Sequence, residues 1–201
     1  MVTNVAASTP ASAPAAARRE ELPVELVDRA GRAIGSCPVR EAHTAPGRLH
    51  RAFSVLVYDP AGRVLLQQRA AVKTRFALRW SNSCCGHPAP GQDLAAAAQA
   101  RLTEELGITA AQVTPLTEAG VLRYRAEDAA TKRVEYEWDH VLVATLASGV
   151  PAPDESEVRQ VRWASQGPLA AEIDARPDEF TPWLAGVLKI ASEISPEGTR
   201  S

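Results

Sequence analysis

Several large classes of protein are excluded by what this sequence lacks. It has no surplus of basic charge: 22 Lys and Arg stand against 24 Asp and Glu, a formal net charge of −2 over 201 residues. Nucleic-acid scaffolds usually carry a basic excess, so that partner class is disfavoured. No apolar run approaches the roughly 20 residues that a bilayer-spanning helix needs, so no membrane partner is expected. Cysteine is scarce, with only Cys37, Cys84 and Cys85, two of them adjacent. An odd, clustered set is a poor disulfide framework and points to a reducing, cytoplasmic location. The stretch from Met1 to Arg19 has no acid and lacks the basic-then-apolar order of a secretory signal. Its Ala, Ser, Thr and Pro bias is shared by transit peptides. The simpler expectation is a disordered tail over 1–20.

What remains is ordinary for one globular domain: 45% apolar and 23% charged residues. A single domain is expected over 21–195, followed by a loose tail over 196–201. Val24–Asp28 reads as a strand, with Gly31 and Gly35 marking a return. Ala52–Tyr58 and Arg63–Gln68 read as strands about the turn Asp59-Pro60-Ala61-Gly62. Trp80–Pro90 reads as loop or irregular strand. Asp93 is a plausible N-cap for a helix over Leu94–Leu106, stopped by Gly107. Leu116–Tyr124, Val134–Leu146 and Val158–Trp163 read as further strands, Leu169–Ala175 and Phe180–Ile194 as helices. The pattern predicts a mixed-sheet α/β or α+β layer fold.

Two groups of residues could carry chemistry. The central helix ends in Glu104-Glu105, where acids oppose the helix dipole by about 0.3–1 kcal/mol each. Pairing with Arg101 would satisfy one of them. Alternatively the two carboxylates hold Mg²⁺ on a diphosphate. The second group is scattered. Cys85 and His87 share a face of an extended segment, and so do Glu135 and Glu137. His43 and His50 flank Ala45-Pro46-Gly47, a turn that lets both swing toward one point. A site of three histidines and two carboxylates suits Zn²⁺, Mn²⁺ or Mg²⁺. Arg69, Lys73 and Arg101 are candidates for holding phosphate. Cys37 and Cys84 read as small buried hydrophobes.

The spacing from Gly86 to Glu104-Glu105-Leu106-Gly107-Ile108 resembles a Nudix box. Gln92 stands at its first acid and Ala100-Arg101 at its Arg-Glu pair, which implies a box that binds a metal–diphosphate without hydrolysing it. Further motifs are Ala42-His43-Thr44, Arg48-Leu49-His50-Arg51-Ala52-Phe53-Ser54 and Trp80-Ser81-Asn82-Ser83-Cys84-Cys85-Gly86-His87-Pro88. Arg123-Tyr124-Arg125-Ala126, Glu135-Tyr136-Glu137 and Phe180-Thr181-Pro182-Trp183 follow. Together they resemble the type 1 isopentenyl-diphosphate isomerases, from about Val24 to Trp183. The resemblance implies a Nudix-like mixed β-sheet sandwiched between helices, with an additional N-terminal β segment.

It also implies reversible conversion of isopentenyl to dimethylallyl diphosphate by a 1,3-allylic proton shift. By that resemblance His43, His50, His87, Glu135 and Glu137 hold one divalent metal (Mn²⁺, Zn²⁺ or Mg²⁺). Cys85 and Glu137 form the proton-transfer pair, Tyr124 bonds near Glu137, and Trp163 faces the hydrocarbon. Glu105 helps to hold a Mg²⁺ bridging to the substrate diphosphate, whose remaining charge meets Arg69, Lys73 and Arg101. The partner is a small prenyl diphosphate, and a monomer is favoured. The family's usual Lys four residues before the first histidine is Val39 here; either Arg40 substitutes or one diphosphate contact is lost. Two other readings stand beside this one: a Nudix hydrolase of small diphosphates, and a metal-stabilised binding module without catalysis.

Overall fold

The computed structural model describes residues 15–193. A short helix, α1 (Ala15–Glu20), opens it, inside the stretch expected to be a disordered tail over 1–20. The rest of that tail, and the expected loose end over 196–201, lie outside the described residues. A hairpin of β1 (Pro23–Val27) and β2 (Ala33–Pro38) follows, then one turn of helix, α2 (Val39–Ala42). Val24, Leu26, Cys37, Val39 and Ala42 bury a small core there. This is the additional N-terminal β segment, with Cys37 packed as an apolar residue.

The main sheet is built on β3 (His50–Tyr58), whose neighbours are β1, β4 (Val64–Arg69), β6 (Cys84–Gly86) and β8 (Val134–Thr145). The pairing of β3 with β8 is parallel; its other pairings are antiparallel. The sheet is completed by β5 (Trp80–Ser81) and β9 (Val158–Ala164) beside β4, and β7 (Thr117–Glu127) beside β8.

Side chains alternate across a strand, and β3 is apolar on both faces. Phe53, Val55 and Val57 meet Ala97, Ala98, Leu102 and Leu106 of α3 (Leu94–Leu106). Leu56 turns the other way, toward Leu169 of α4 (Gln166–Ala175) and Leu184 and Val187 of α5 (Leu184–Ser192). The sheet therefore lies between helices. Helix α3 has the predicted ends: the Asp93 carboxylate accepts from the Ala96 amide at 2.8 Å, and Gly107 adopts φ 63°.

The last helix begins later than expected. Phe180 bridges to Trp80, and the Thr181 amide donates to the Trp80 carbonyl at 2.8 Å. Pro182 disfavours a helical Thr181, so the helix starts at Leu184. The expected terminal Ile194 lies outside the described residues. Among those residues no helix is long and apolar enough to cross a membrane.

Candidate active site

Strand registers bring distant residues to one end of the sheet. His50 of β3 pairs with Glu137 of β8, and Tyr124 of β7 also stands opposite Glu137. Cys85 of β6 pairs with Ser54 of β3. His43 is the residue at the end of α2, and His87 follows β6. Ligand atoms of His43, His50, His87, Glu135 and Glu137 all lie within 4.8 Å of one another. Four are buried and His87 is partly so.

The hydrogen bonds of the imidazoles say what this nest is for. His43 Nδ1 donates to the Val39 carbonyl and His50 Nδ1 to the Arg48 carbonyl, both at 2.7 Å. Each ring therefore turns its Nε2 inward, the nitrogen that offers a lone pair to a metal when it gives up its proton. His43 Nε2 lies 2.7 Å from Glu135 Oε2, yet both atoms, like His50 Nε2, lack a properly aligned hydrogen bond. Lone pairs and carboxylate oxygens facing one another in a buried site are costly unless a cation lies between them. The nitrogen and oxygen donors, with their ring nitrogens anchored to backbone, fit a divalent metal.

Electrostatics agree. Burial opposes charge on His43, yet Glu135 beside it carries the imidazole up to about 9: the site draws in positive charge. His87 is pushed down to about 4, chiefly by burial, and so presents a neutral ring. Burial resists charge on Glu137, but the three imidazoles around it, His87 hydrogen-bonded at 2.9 Å, hold its carboxyl well below the usual range.

A cavity of about 370 Å³ opens from this nest, lined among others by Cys85, Tyr124, Glu137 and Trp183. That size suits a small ligand. The Tyr124 hydroxyl donates to Glu137 Oε2 at 2.6 Å. The Cys85 thiol donates to Asn82 Oδ1 at 3.2 Å and lies 3.6 Å from Ser54 Oγ. Burial, with the Asp139 carboxylate nearby, pushes the thiol up to about 12. Cys84 faces the α3 side of the sheet and is fully buried, a packing residue as expected.

At the outer end three acids, Glu104, Glu105 and Glu157, interlock with three cations, Arg19, Lys73 and Arg101. Glu105, 1% exposed, pairs with Lys73 at 3.2 Å and with Arg101, and accepts from Gln67 at 3.0 Å. Burial alone would raise the Glu105 carboxyl, but Lys73 and Arg101 hold it below its ordinary value. It stands apart from the five-residue nest. Glu104 pairs with Arg101 at 2.8 Å, and Glu157 with Lys73. Arg69 also lines the cavity, its guanidinium donating to the carbonyls of Arg75 and Phe76 and lying 5.8 Å from the Trp183 ring centre.

One expected site residue is corrected. Trp163 pairs with Leu65, shares its face of the sheet, and packs against the α3-side core rather than the cavity. The aromatic wall is Trp183, whose Nε1 donates to Asn82 Oδ1 at 3.1 Å, the same oxygen that holds the Cys85 thiol. Sequence reasoning also left out Asn82, Ser54, Asp139, Glu157 and Arg19. Asn82 sits inside the Asn-Ser-Cys-Cys-Gly-His-Pro motif, and that was its available signal. Asp139 is fully buried and accepts from Ser54 at 2.7 Å; burial pushes its carboxyl well above the usual range. Arg40 turns outward to Glu21 at 2.8 Å, with both side chains more than half exposed, and does not replace the cation missing at Val39.

Comparison with known proteins places this geometry. Residues 48–184 match the model of the NUDIX domain family. An isopentenyl-diphosphate Delta-isomerase of Nocardia farcinica is 63% identical over 85% of this chain and 94% of its own. One from Streptomyces griseus is 44% identical over 86% of this chain and 84% of its own. A crystal structure of a Deinococcus radiodurans protein superposes with a TM-score of 0.66 at 15% identity, covering 83% of this chain and 97% of that one. That likeness speaks to the fold alone; sequence and fold together establish that the chain belongs to the NUDIX domain family and, within it, to the isopentenyl-diphosphate Delta-isomerases.

Proposed function

We propose that this chain interconverts isopentenyl and dimethylallyl diphosphate by moving protons between Cys85 and Glu137 across the cavity. The observation that carries the reading is the meeting of a buried thiol and a tyrosine-bonded carboxylate in one small cavity, with a cation-seeking nest at one end and basic side chains at the other. In the forward direction a proton adds to the terminal CH₂ carbon of the alkene, and the positive charge falls on the tertiary carbon. A proton then leaves the neighbouring CH₂, and its electron pair forms the new double bond. One of the two groups gives the first proton and the other takes the second; reversal exchanges these roles.

The remaining residues serve the intermediate cation. Trp183 presents an aromatic wall, worth about 0.5–2 kcal/mol to a facing cation. Tyr124 orients Glu137 through its 2.6 Å hydrogen bond, and Asn82 orients both Cys85 and Trp183. Closure of the cavity keeps out water, which would otherwise trap the cation as an alcohol. A divalent ion held by His43, His50, His87, Glu135 and Glu137 would supply positive charge that sets the proton affinity of Glu137, and one held beside Glu105 would offset the charge of the substrate diphosphate. Lys73, Arg101 and Arg69 meet the diphosphate oxygens. The free cysteines fit a reducing, cytoplasmic setting.

The test is proton NMR of isopentenyl diphosphate in D₂O with the metal-loaded protein. Dimethylallyl diphosphate bearing deuterium in its new methyl group is expected. Cys85→Ala should lower turnover by about 10²–10⁴-fold, while Cys84→Ala stays within about threefold. Absence of product with folded, loaded protein, or a Cys85→Ala variant keeping a tenth of the turnover, overturns the assignment.

A further inference from the structure

Arg19 lies on α1, outside the matched NUDIX segment, yet its side chain reaches the far end of the cavity. Its Nη1 meets Glu157, and its Nη2 meets Glu104 at 3.2 Å. Lys73 holds the other oxygen of Glu157, and Arg101 shares the same Glu104 oxygen. Arg19 is thus the third cation of one interlocked cluster. Without it, Glu104, Glu105 and Glu157 would face only Lys73 and Arg101. The mouth would then carry an excess negative charge where a polyanion has to enter.

An ordinary stabilising role explains Arg19 poorly. Its side chain is 33% exposed and that of Glu104 is 53% exposed, and exposed ion pairs contribute little to stability; Glu157 is better buried, with its side chain 8% exposed, but keeps Lys73 on its other oxygen without Arg19. Its guanidinium remains in contact with the cavity, and exchange of a carboxylate for a phosphate is a like-for-like swap for a planar fork of donors. Nearby, Val39 offers an apolar wall and Arg40 points away to Glu21.

We propose that Arg19 is a substrate-binding residue whose guanidinium passes from Glu157 and Glu104 to the diphosphate. The inference rests on the prenyl-diphosphate reading of the site. It adds a ligand contact from a segment that precedes the NUDIX match.

The experiment compares the full chain with its Arg19→Ala, Arg19→Lys and Arg18→Ala variants in Mg²⁺ buffer. Calorimetric titration with inorganic diphosphate gives Kd, and steady-state assay with isopentenyl diphosphate gives KM and kcat. Arg19→Ala should raise Kd and KM by about tenfold, the scale of one lost charge-assisted hydrogen bond, with kcat within about threefold. Arg19→Lys should recover part of the loss, and Arg18→Ala, one residue away and exposed, should match the wild type. Wild-type Kd and KM in Arg19→Ala overturn the proposal, even if its melting temperature falls. An equal loss in Arg18→Ala overturns it too, since that would be a general effect of charge. Wild-type protein that binds no inorganic diphosphate also overturns it. Wild-type protein that binds diphosphate but forms no dimethylallyl product sinks the isomerase reading instead, and the Kd comparison still decides the role of Arg19.

Discussion

The two ends of the cavity are both dense in ionisable groups and treat them in opposite ways. At the buried end, His43 Nε2, His50 Nε2 and Glu135 Oε2 face inward without aligned partners. At the outer end, the carboxylates of Glu104, Glu105 and Glu157 are each met by basic side chains. Unpaired buried polar atoms cost free energy, so the first end is built around an ion that completes it. A self-neutralised cluster costs little and binds an anion only by exchanging partners. One end is a socket shaped for an ion; the other is closed on its own internal pairs.

Removing metal should break this contrast most severely. Chelation is expected to abolish turnover and to lower the thermal midpoint. An ion at about a thousand times its Kd stabilises by about 4 kcal/mol. His50→Ala should lose most of that metal-dependent gain in midpoint, whereas Lys73→Ala should keep it. Thermal unfolding across a metal titration reads both, and metal-free protein with an unchanged midpoint and full turnover would contradict the socket.

The tryptophans sharpen the comparison at the next level. Trp183→Leu removes the cavity's aromatic wall and should reduce turnover by up to about 30-fold, from about 0.5–2 kcal/mol of cation stabilisation. Trp163→Leu should leave turnover near wild type and lower stability through lost packing on the α3 face. Kinetics measured well below both melting temperatures separates the two, and the opposite ranking would restore Trp163 to the site.

The smallest expected effect is on acid stability. Against the opposing pull of burial, Lys73 and Arg101 hold the folded Glu105 carboxyl below its ordinary 4.5. Its contribution is therefore fully present above about 4.5 and is lost as the pH falls through the lowered folded value. A tenfold difference in proton affinity between the folded and unfolded chain corresponds to about 1.4 kcal/mol. In metal-free protein Glu105→Gln should flatten the acid limb of stability against pH. An unchanged limb in denaturant titrations would show that these pairs add nothing.

Much of this was legible beforehand, and the failures are instructive. The five nest residues, Cys85, Tyr124 and the limits of α3 were expected by number. The two adjacent cysteines were also told apart, because alternation in an extended segment sends Cys84 and Cys85 to opposite faces. Trp163 was expected at the hydrocarbon, and Trp183 was noted only as part of the Phe180-Thr181-Pro182-Trp183 motif. Only the Leu65–Trp163 register assigns Trp163 to the α3 face. Arg19 and Glu157 were missed because they lie 138 residues apart, and no local pattern links them. Whether Arg40 stands in beside Val39 was left open by the sequence, because neighbours on a short helix point in different directions and only the structure turns Arg40 out to Glu21.

The amino-acid order by itself determined what is local: the Asp93 cap, the Gly107 stop, the Cys-Gly-His and Glu-Tyr-Glu spacings, and the residue types that suit a metal and a diphosphate. Those follow from backbone preference and from alternation within a single element. The tertiary structure alone decided which of these groups meet. It set His50 beside Glu137 through a parallel pairing, put Trp183 rather than Trp163 on the cavity wall, and brought Arg19 to Glu157. The physical reason is that strand register and helix docking are fixed by burial of the whole apolar surface, a sum over the chain that no short stretch of it contains.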